Sequence, residues 1–194
     1  MPCHSADLIP MDPAPVTGAA ASEMIAWSAR NLCAALATIT FPVVALDQLS
    51  KFYVAGRLPF HETWTVIPNW LDLTYTLNPG AAFSLFSTMP SAIRDIFFLA
   101  LSSIATVVLM ILIAREGTSV SSRNGLALIL GGTLGNFIDR LVRGRVIDFI
   151  YFHHGAFSYP VFNLADSAIT VGVATIMVVS LLESRTRDAL TAKH

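Results

Sequence analysis

The chain has 194 residues, of which 54% are hydrophobic and only 13% charged, against roughly 25% charged in soluble domains. So few polar side chains cannot cover a water-facing surface, which excludes an ordinary soluble domain and points to a membrane protein. A net charge of −1 leaves no basic footprint, so no nucleic-acid partner is expected.

Residues 1–26 carry Pro2, Pro10, Pro13 and Pro15 among alanines and small polar residues. No basic start leads into an apolar core, so the segment is not a cleavable signal peptide. It is expected to be a disordered extension. A membrane domain is expected over 27–184, with a short tail over 185–194. The first apolar stretch runs from about Asn31 to Leu46 and continues past Asp47 to Ala55. The second, Ile96 to Ala114, has no charge and is long enough to cross the hydrocarbon core. The third, Gly125 to Ile138, spans only if it continues through Asp139 and Arg140 to Val142. The fourth runs from Pro160 to Leu182 around Asp166. The expected fold is an all-α membrane protein with four transmembrane helices and both termini on one side. Arginine and lysine divide evenly between the two sides, so the positive-inside rule does not orient the chain.

Between the first two spans the period changes. Leu71, Leu73, Tyr75 and Leu77 alternate with Asp72, Thr74 and Thr76, and Trp64 and Val66 alternate with Thr63 and Thr65 before Pro68-Asn69. Period-two patterning beside a turn signal predicts a small antiparallel sheet on the membrane surface. The two cysteines, Cys3 and Cys33, make neither a disulfide framework nor a CxxC site. Cys33 is expected to pack as a small apolar residue.

Ionisable groups inside spans are candidates for function by default. Asp47 has Lys51 at i+4, an ion-pair spacing, and Asp139 has Arg140 beside it and Arg143 at i+4, so both acids are expected to be structural. Asp166 has no cation within 16 residues on either side. If Pro160 starts the fourth helix, Asp166 lies about 9 Å below its mouth, where a catalytic and a proton-relay acid fit equally. Asp148, in the apolar run Val146–Ile150, would return to the same mouth, with Arg145 at i−3 as a competing partner. Two carboxylates sharing a proton can activate water and protonate a departing group. Gly131 and Gly135 have the spacing of close helix packing, and Asn136 and Arg140 share a helix face. His153-His154 lacks a third ligand and is expected in a wet loop. No metal or cofactor is expected.

In order, Leu46-Asp47-Gln48-Leu49-Ser50-Lys51, Asn78-Pro79-Gly80-Ala81-Ala82-Phe83-Ser84 and Gly131-Gly132-Thr133-Leu134-Gly135-Asn136-Phe137-Ile138-Asp139-Arg140 resemble motifs of the lipoprotein signal peptidase (signal peptidase II) family. Val146-Ile147-Asp148-Phe149 and Phe162-Asn163-Leu164-Ala165-Asp166-Ser167-Ala168 complete the set, which covers roughly residues 40–180. The resemblance implies an aspartic endopeptidase with Asp148 and Asp166 as the catalytic pair. It implies that Asn78, Asn136, Arg140 and Asn163 line the substrate site. It further implies diacylglyceryl-modified prolipoproteins as substrates, cut before the lipidated cysteine, and globomycin-type inhibitors as ligands. The setting would be the bacterial inner membrane, with cytoplasmic termini and with the sheet and active site at the periplasmic face. Intramembrane acids also mark ion paths, so a proton-coupled transporter is the competing class, with a structural assembly subunit behind it.

Overall fold

The computed structural model describes residues 18–80, 90–115 and 117–191, with side chains over 22–186. Helix α1 (Gly18–Ala35) runs through a π-helical turn, Leu36–Thr40, into α2 (Phe41–Arg57). The wide turn has a local cause. Pro42 carries no N–H for the carbonyl four residues back, and Phe41 N bonds Leu36 O five residues back. Strands β1 (Thr63–Ile67) and β2 (Leu71–Asn78) follow, then α3 (Ser91–Ala114) and α4 (Val120–Arg143). Strands β3 (Val146–His154) and β4 (Phe157–Ser158) lead to α5 (Leu164–Thr191).

Among the described residues, four helical stretches are long and apolar enough to cross a membrane: Ser22–Arg57, Ser91–Ala114, Val120–Arg143 and Leu164–Thr186. The first contains 36 residues, about 54 Å at ~1.5 Å per residue, well beyond a hydrocarbon core of ~30 Å. The expected boundaries of the first span were too short, because its polar upstream turns continue the same helix. Residues 18–26, expected in a disordered extension, are helical, and residues 1–17 lie outside the described part. Large apolar side chains such as Ile93, Ile104, Ile111, Val178 and Leu181 face outward, as a lipid-facing surface requires. Cys33 is also exposed, so it does not pack internally as expected.

Helix α4 is central. Ser119 caps its start by accepting a hydrogen bond from Ser122 N, and Gly144 ends it at φ 69°. Along it, glycines let neighbouring backbones approach. A Cβ on Gly131 would lie 2.8 Å from Val43 Cβ on α2, and one on Gly132 would collide with the Ala165 carbonyl oxygen on α5. Thr40 Oγ1 then donates to Ala127 O at 3.0 Å, tying the π turn to α4. Ala35, Leu109, Ile113, Ala127 and Leu130 form the buried apolar core at this level.

The sheet differs from expectation in one respect. It is four-stranded and antiparallel, in the order β1-β2-β3-β4, so the third-to-fourth connection supplies half of it. Leu77 pairs with Ile147 and Asn78 with Val146. Val54 and Leu58 from the end of α2 pack with Ile147 and Phe149 beneath it. His153 and His154 therefore end a strand rather than occupy a loop: His153 Nε2 lies 2.9 Å from Asp72 Oδ2, and His154 stacks on Trp70. Gly132→Ala is expected to destabilise the bundle by about 1–3 kcal/mol through overpacking, read as a lower thermal midpoint in detergent.

Candidate active site

The site lies where β3 leaves α4 and where α5 begins. Helix α5 starts later than its proline suggested. Phe162 is held extended by Ile150, with Ile150 N bonding Phe162 O at 2.7 Å and Phe162 N bonding Ile150 O at 3.0 Å, so residues 160–163 cannot be helical. Asn163 becomes the cap. Its Oδ1 accepts from Asp166 N at 3.0 Å, while Asp166 Oδ2 accepts from Asn163 N at 3.2 Å. This is the reciprocal geometry of a capping box. Asp166 thus sits in the first turn rather than two turns inside the helix.

Asp148 projects from β3 and is 3% exposed. Asn78 Nδ2 donates to its Oδ2 at 2.9 Å, and Asn163 Nδ2 donates to its Oδ1 at 2.6 Å. Arg145, the competing partner by spacing, is exposed. Asn136 Nδ2 donates to Asp166 Oδ1 at 2.8 Å, and Asn163 Nδ2 also lies 3.1 Å from Asn136 Oδ1. Asn163 therefore touches both acids, and the asparagines of β2, α4 and the α5 cap converge on the pair. Arg140 stands at the same place. Its guanidinium is electrostatically coupled to Asp166 and Asp148, bonds Asn136 O at 3.4 Å and lies over the Phe98 ring.

Beneath the pair is a buried ion cluster. Lys51 Nζ is 2.7 Å from Asp47 Oδ2 and 2.9 Å from Asp139 Oδ2, with all three side chains wholly buried. Arg143 Nη1 reaches Asp139 Oδ1 at 2.7 Å. Gln48, quoted within its motif but given no role from sequence, joins Asp47, Asp139 and the Gly135 carbonyl through one amide nitrogen. Gly135 leaves room for this, since a Cβ there would lie 2.5 Å from Asp47 Oδ2. No group of three metal-ligating side chains forms among the described residues.

Beside Asp166 opens a cleft of about 380 Å³ walled by Phe152, Tyr159 and Phe162 on one side and Ser167, Thr170 and Val171 on the other. Its aromatic wall went unassigned in sequence because three rings spaced irregularly between β3 and the start of α5 give no periodic signal. The motif residues Ala81-Ala82-Phe83-Ser84 lie outside the described part.

Burial pushes the Asp148 carboxyl up from 3.8 to about 6; hydrogen bonds from Asn78 and Asn163 pull it down, while the nearby Asp166 charge raises it further. Two adjacent acids, one of them buried and holding its proton up to about pH 6, can act as base and acid in hydrolysis. The fold and the site define a multi-pass membrane hydrolase.

Comparison with known proteins gives its family. Residues 39–182 match the signal peptidase (SPase) II family. The lipoprotein signal peptidase of Desulforapulum autotrophicum is 43% identical over 145 residues, covering 73% of this chain and 88% of the relative. That of Paraburkholderia phymatum is 44% identical over 135 residues, covering 70% and 80%. That of Neisseria meningitidis (strain MC58) is 37% identical over 150 residues, covering 77% and 90%. A solved bacterial membrane enzyme superposes with a TM-score of 0.65 at 32% identity, covering 75% of this chain and 86% of its own. The chain belongs to the signal peptidase II family, and it is a protease that removes signal peptides.

The raised carboxyl has a consequence for stability. The folded protein binds the Asp148 proton more tightly than the unfolded chain does, so this group's contribution is full below pH 3.8 and is lost as pH rises through about 6. Asp148→Asn is therefore expected to gain thermal stability relative to the wild type between pH 4 and pH 7 (approximate limits drawn from the shift). Parallel midpoint-versus-pH curves for the two proteins would contradict the burial argument.

Proposed function

We propose that the protein is an aspartic endopeptidase of the bacterial inner membrane that cuts prolipoproteins before their diacylglyceryl-modified cysteine, with Asp148 and Asp166 as its catalytic pair. The observation that carries this reading is the convergence of two carboxylates from β3 and α5, held by asparagine amides in a chain of the signal peptidase II family. One carboxylate takes a proton from water as its oxygen attacks the scissile carbonyl carbon. The other, as the carboxylic acid, gives its proton to the carbonyl oxygen; as the tetrahedral centre collapses, the first acid passes the proton it took from water to the leaving amine and the second regains its own. Asp148 holds its proton to a higher pH than an exposed aspartate does, because it is buried. Asn78, Asn136 and Asn163, first read as substrate-lining, have amide donors directed at the acids. Their part is to orient the pair, while Arg140 meets the peptide carbonyl as charge develops.

The aromatic cleft beside Asp166 suits an apolar substrate segment at the membrane boundary. The sheet faces the periplasm, the peptidase unit spans residues 27–184, and both ends lie on the cytoplasmic side. Membrane lipid surrounds the exposed apolar helix faces, and globomycin-type inhibitors occupy the acid pair.

Asp148→Asn and Asp166→Asn are each expected to lower turnover of a diacylglyceryl prolipoprotein by about three or more orders of magnitude, with the double variant no worse than either single, since groups acting as a unit are non-additive. Mass measurement of the product, before and after incubation, reads the cut. The wild-type rate should follow a bell-shaped pH curve whose falling limb lies near pH 6, where the Asp148 proton is lost. Near-normal turnover by either single variant would remove that acid from the pair.

Orientation is tested separately. A reporter active only in the periplasm should be active when inserted near His61 and silent at either end of the chain. The opposite pattern would invert the protein in the membrane.

A further inference from the structure

The Lys51 cluster could be no more than charges cancelling in a low-dielectric interior. Its hydrogen bonds argue for a narrower role. Asp47 Oδ1, the oxygen turned away from Lys51, accepts from Ala165 N at 2.9 Å. Asp139 Oδ2 accepts from Ile147 N at 3.2 Å. Ala165 and Ile147 are the residues immediately before Asp166 and Asp148. Each buried carboxylate therefore grips the backbone one step ahead of one member of the acid pair, and Lys51 ties the two carboxylates together.

The third proton of Lys51 completes the pattern. Nζ donates to Asn136 Oδ1 at 3.1 Å. An ammonium can only donate, so the oxygen of this amide must face Lys51, and its nitrogen is left pointing at Asp166 Oδ1. Mere neutralisation explains none of this direction. Replacing a buried ion cluster by well-packed apolar side chains is often neutral or stabilising, so stability alone gives no reason for three wholly buried charges. Apolar residues cannot supply two acceptors and a donor at fixed mutual positions.

We propose that Asp47, Lys51 and Asp139 are positioning residues, one buried device that sets the separation and orientation of the Asp148–Asp166 pair. The proposal rests on the reading of those two acids as the reacting groups. Lys51 is the hub: one tip on α2 fixes the start of β3 through Asp139, the start of α5 through Asp47, and the amide on α4 through direct contact.

The test uses the full chain in detergent, with Asp139→Asn, Asp139→Glu and Lys51→Arg. For folded Asp139→Asn, kcat should fall about a hundredfold, the scale of a ~1 Å misplacement, with KM changed by no more than about threefold. Asp139→Glu restores the charge but shifts the acceptor, so it should remain slow. In the same variants the Ile147 amide should exchange with deuterium at least about tenfold faster through local opening, while the Phe149 amide, bonded to Phe162 O, stays protected. Wild-type turnover by Asp139→Glu, or unchanged protection of Ile147 in Asp139→Asn, would overturn the proposal. If Asp139→Asn does not fold, Lys51→Arg decides: it keeps the charge but cannot reach three acceptors from one atom, and wild-type kcat in it would overturn the hub. Should neither fold, exchange of the wild-type Ile147 and Ala165 amides as fast as exposed ones would do the same. Amide exchange needs no substrate. A wild-type protein that leaves prolipoprotein intact would therefore refute the catalytic reading while the exchange result still decides whether the grip exists.

Discussion

The structure depends on a single ammonium in the interior of a membrane bundle. Lys51 is wholly buried, and nothing in hydrocarbon can solvate its charge. It is tolerated because Asp47 and Asp139 approach to 2.7 and 2.9 Å and Asn136 accepts its remaining proton. That requirement dictates much else. Helices α2 and α4 must lie close enough for their polar faces to meet, and so Gly131 and Gly135 carry no side chains where Val43 and the Asp47 carboxylate press against α4. Helix α5 must begin directly above, because the second oxygen of Asp47 needs a donor and finds it in Ala165 N.

The two acids above this cluster come from different kinds of element, and that difference is useful. Asp148 is anchored by strand pairing, with Thr76 opposite it across the β2–β3 ladder. Asp166 is anchored by the cap of a helix, where the chain stays extended until Asn163 because Ile150 pairs with Phe162. A strand and a helix start are each stiff, but neither shares register with the other. Asn163 bridges that gap with one side chain, capping the helix through its oxygen and bonding Asp148 through its nitrogen.

Much of this was legible in the sequence. One charge-free apolar run and three interrupted by charged residues gave the four spans, and i+4 spacing gave the Asp47–Lys51 and Asp139–Arg143 pairs. Alternation gave β1 and β2, while β3 was hidden because Val146–Phe149 is buried and shows apolar residues on both faces around Asp148, a pattern that does not distinguish strand from helix. The depth of Asp166 was misjudged because Pro160 looked like a helix start. The pairing of Phe162 with Ile150, a long-range event, delays that start to Leu164. The Lys51–Asp139 pair and the grip on Ala165 join segments far apart in the chain, and the grip on Ile147 reaches back across the end of α4, so no helical or strand spacing reports them.

Burying Asp148 has an energetic cost that must be offset elsewhere. A carboxyl raised from 3.8 to about 6 represents at most about 3 kcal/mol of destabilised charge, at ~1.4 kcal/mol per unit. Two amide donors reduce the cost without cancelling it, since burial and the Asp166 charge outweigh them. A strand carrying such a residue would relax toward solvent unless held on both sides of it. Phe149 N and Ile150 N are fastened to Phe162 O after the acid, and Ile147 N is fastened to Asp139 before it. The acid therefore stays in an environment that keeps its protonated form up to about pH 6, beside a second carboxylate held by a helix cap. A polar cluster that would be hard to justify as a source of stability becomes intelligible as the anchor that keeps an unfavourable group in place.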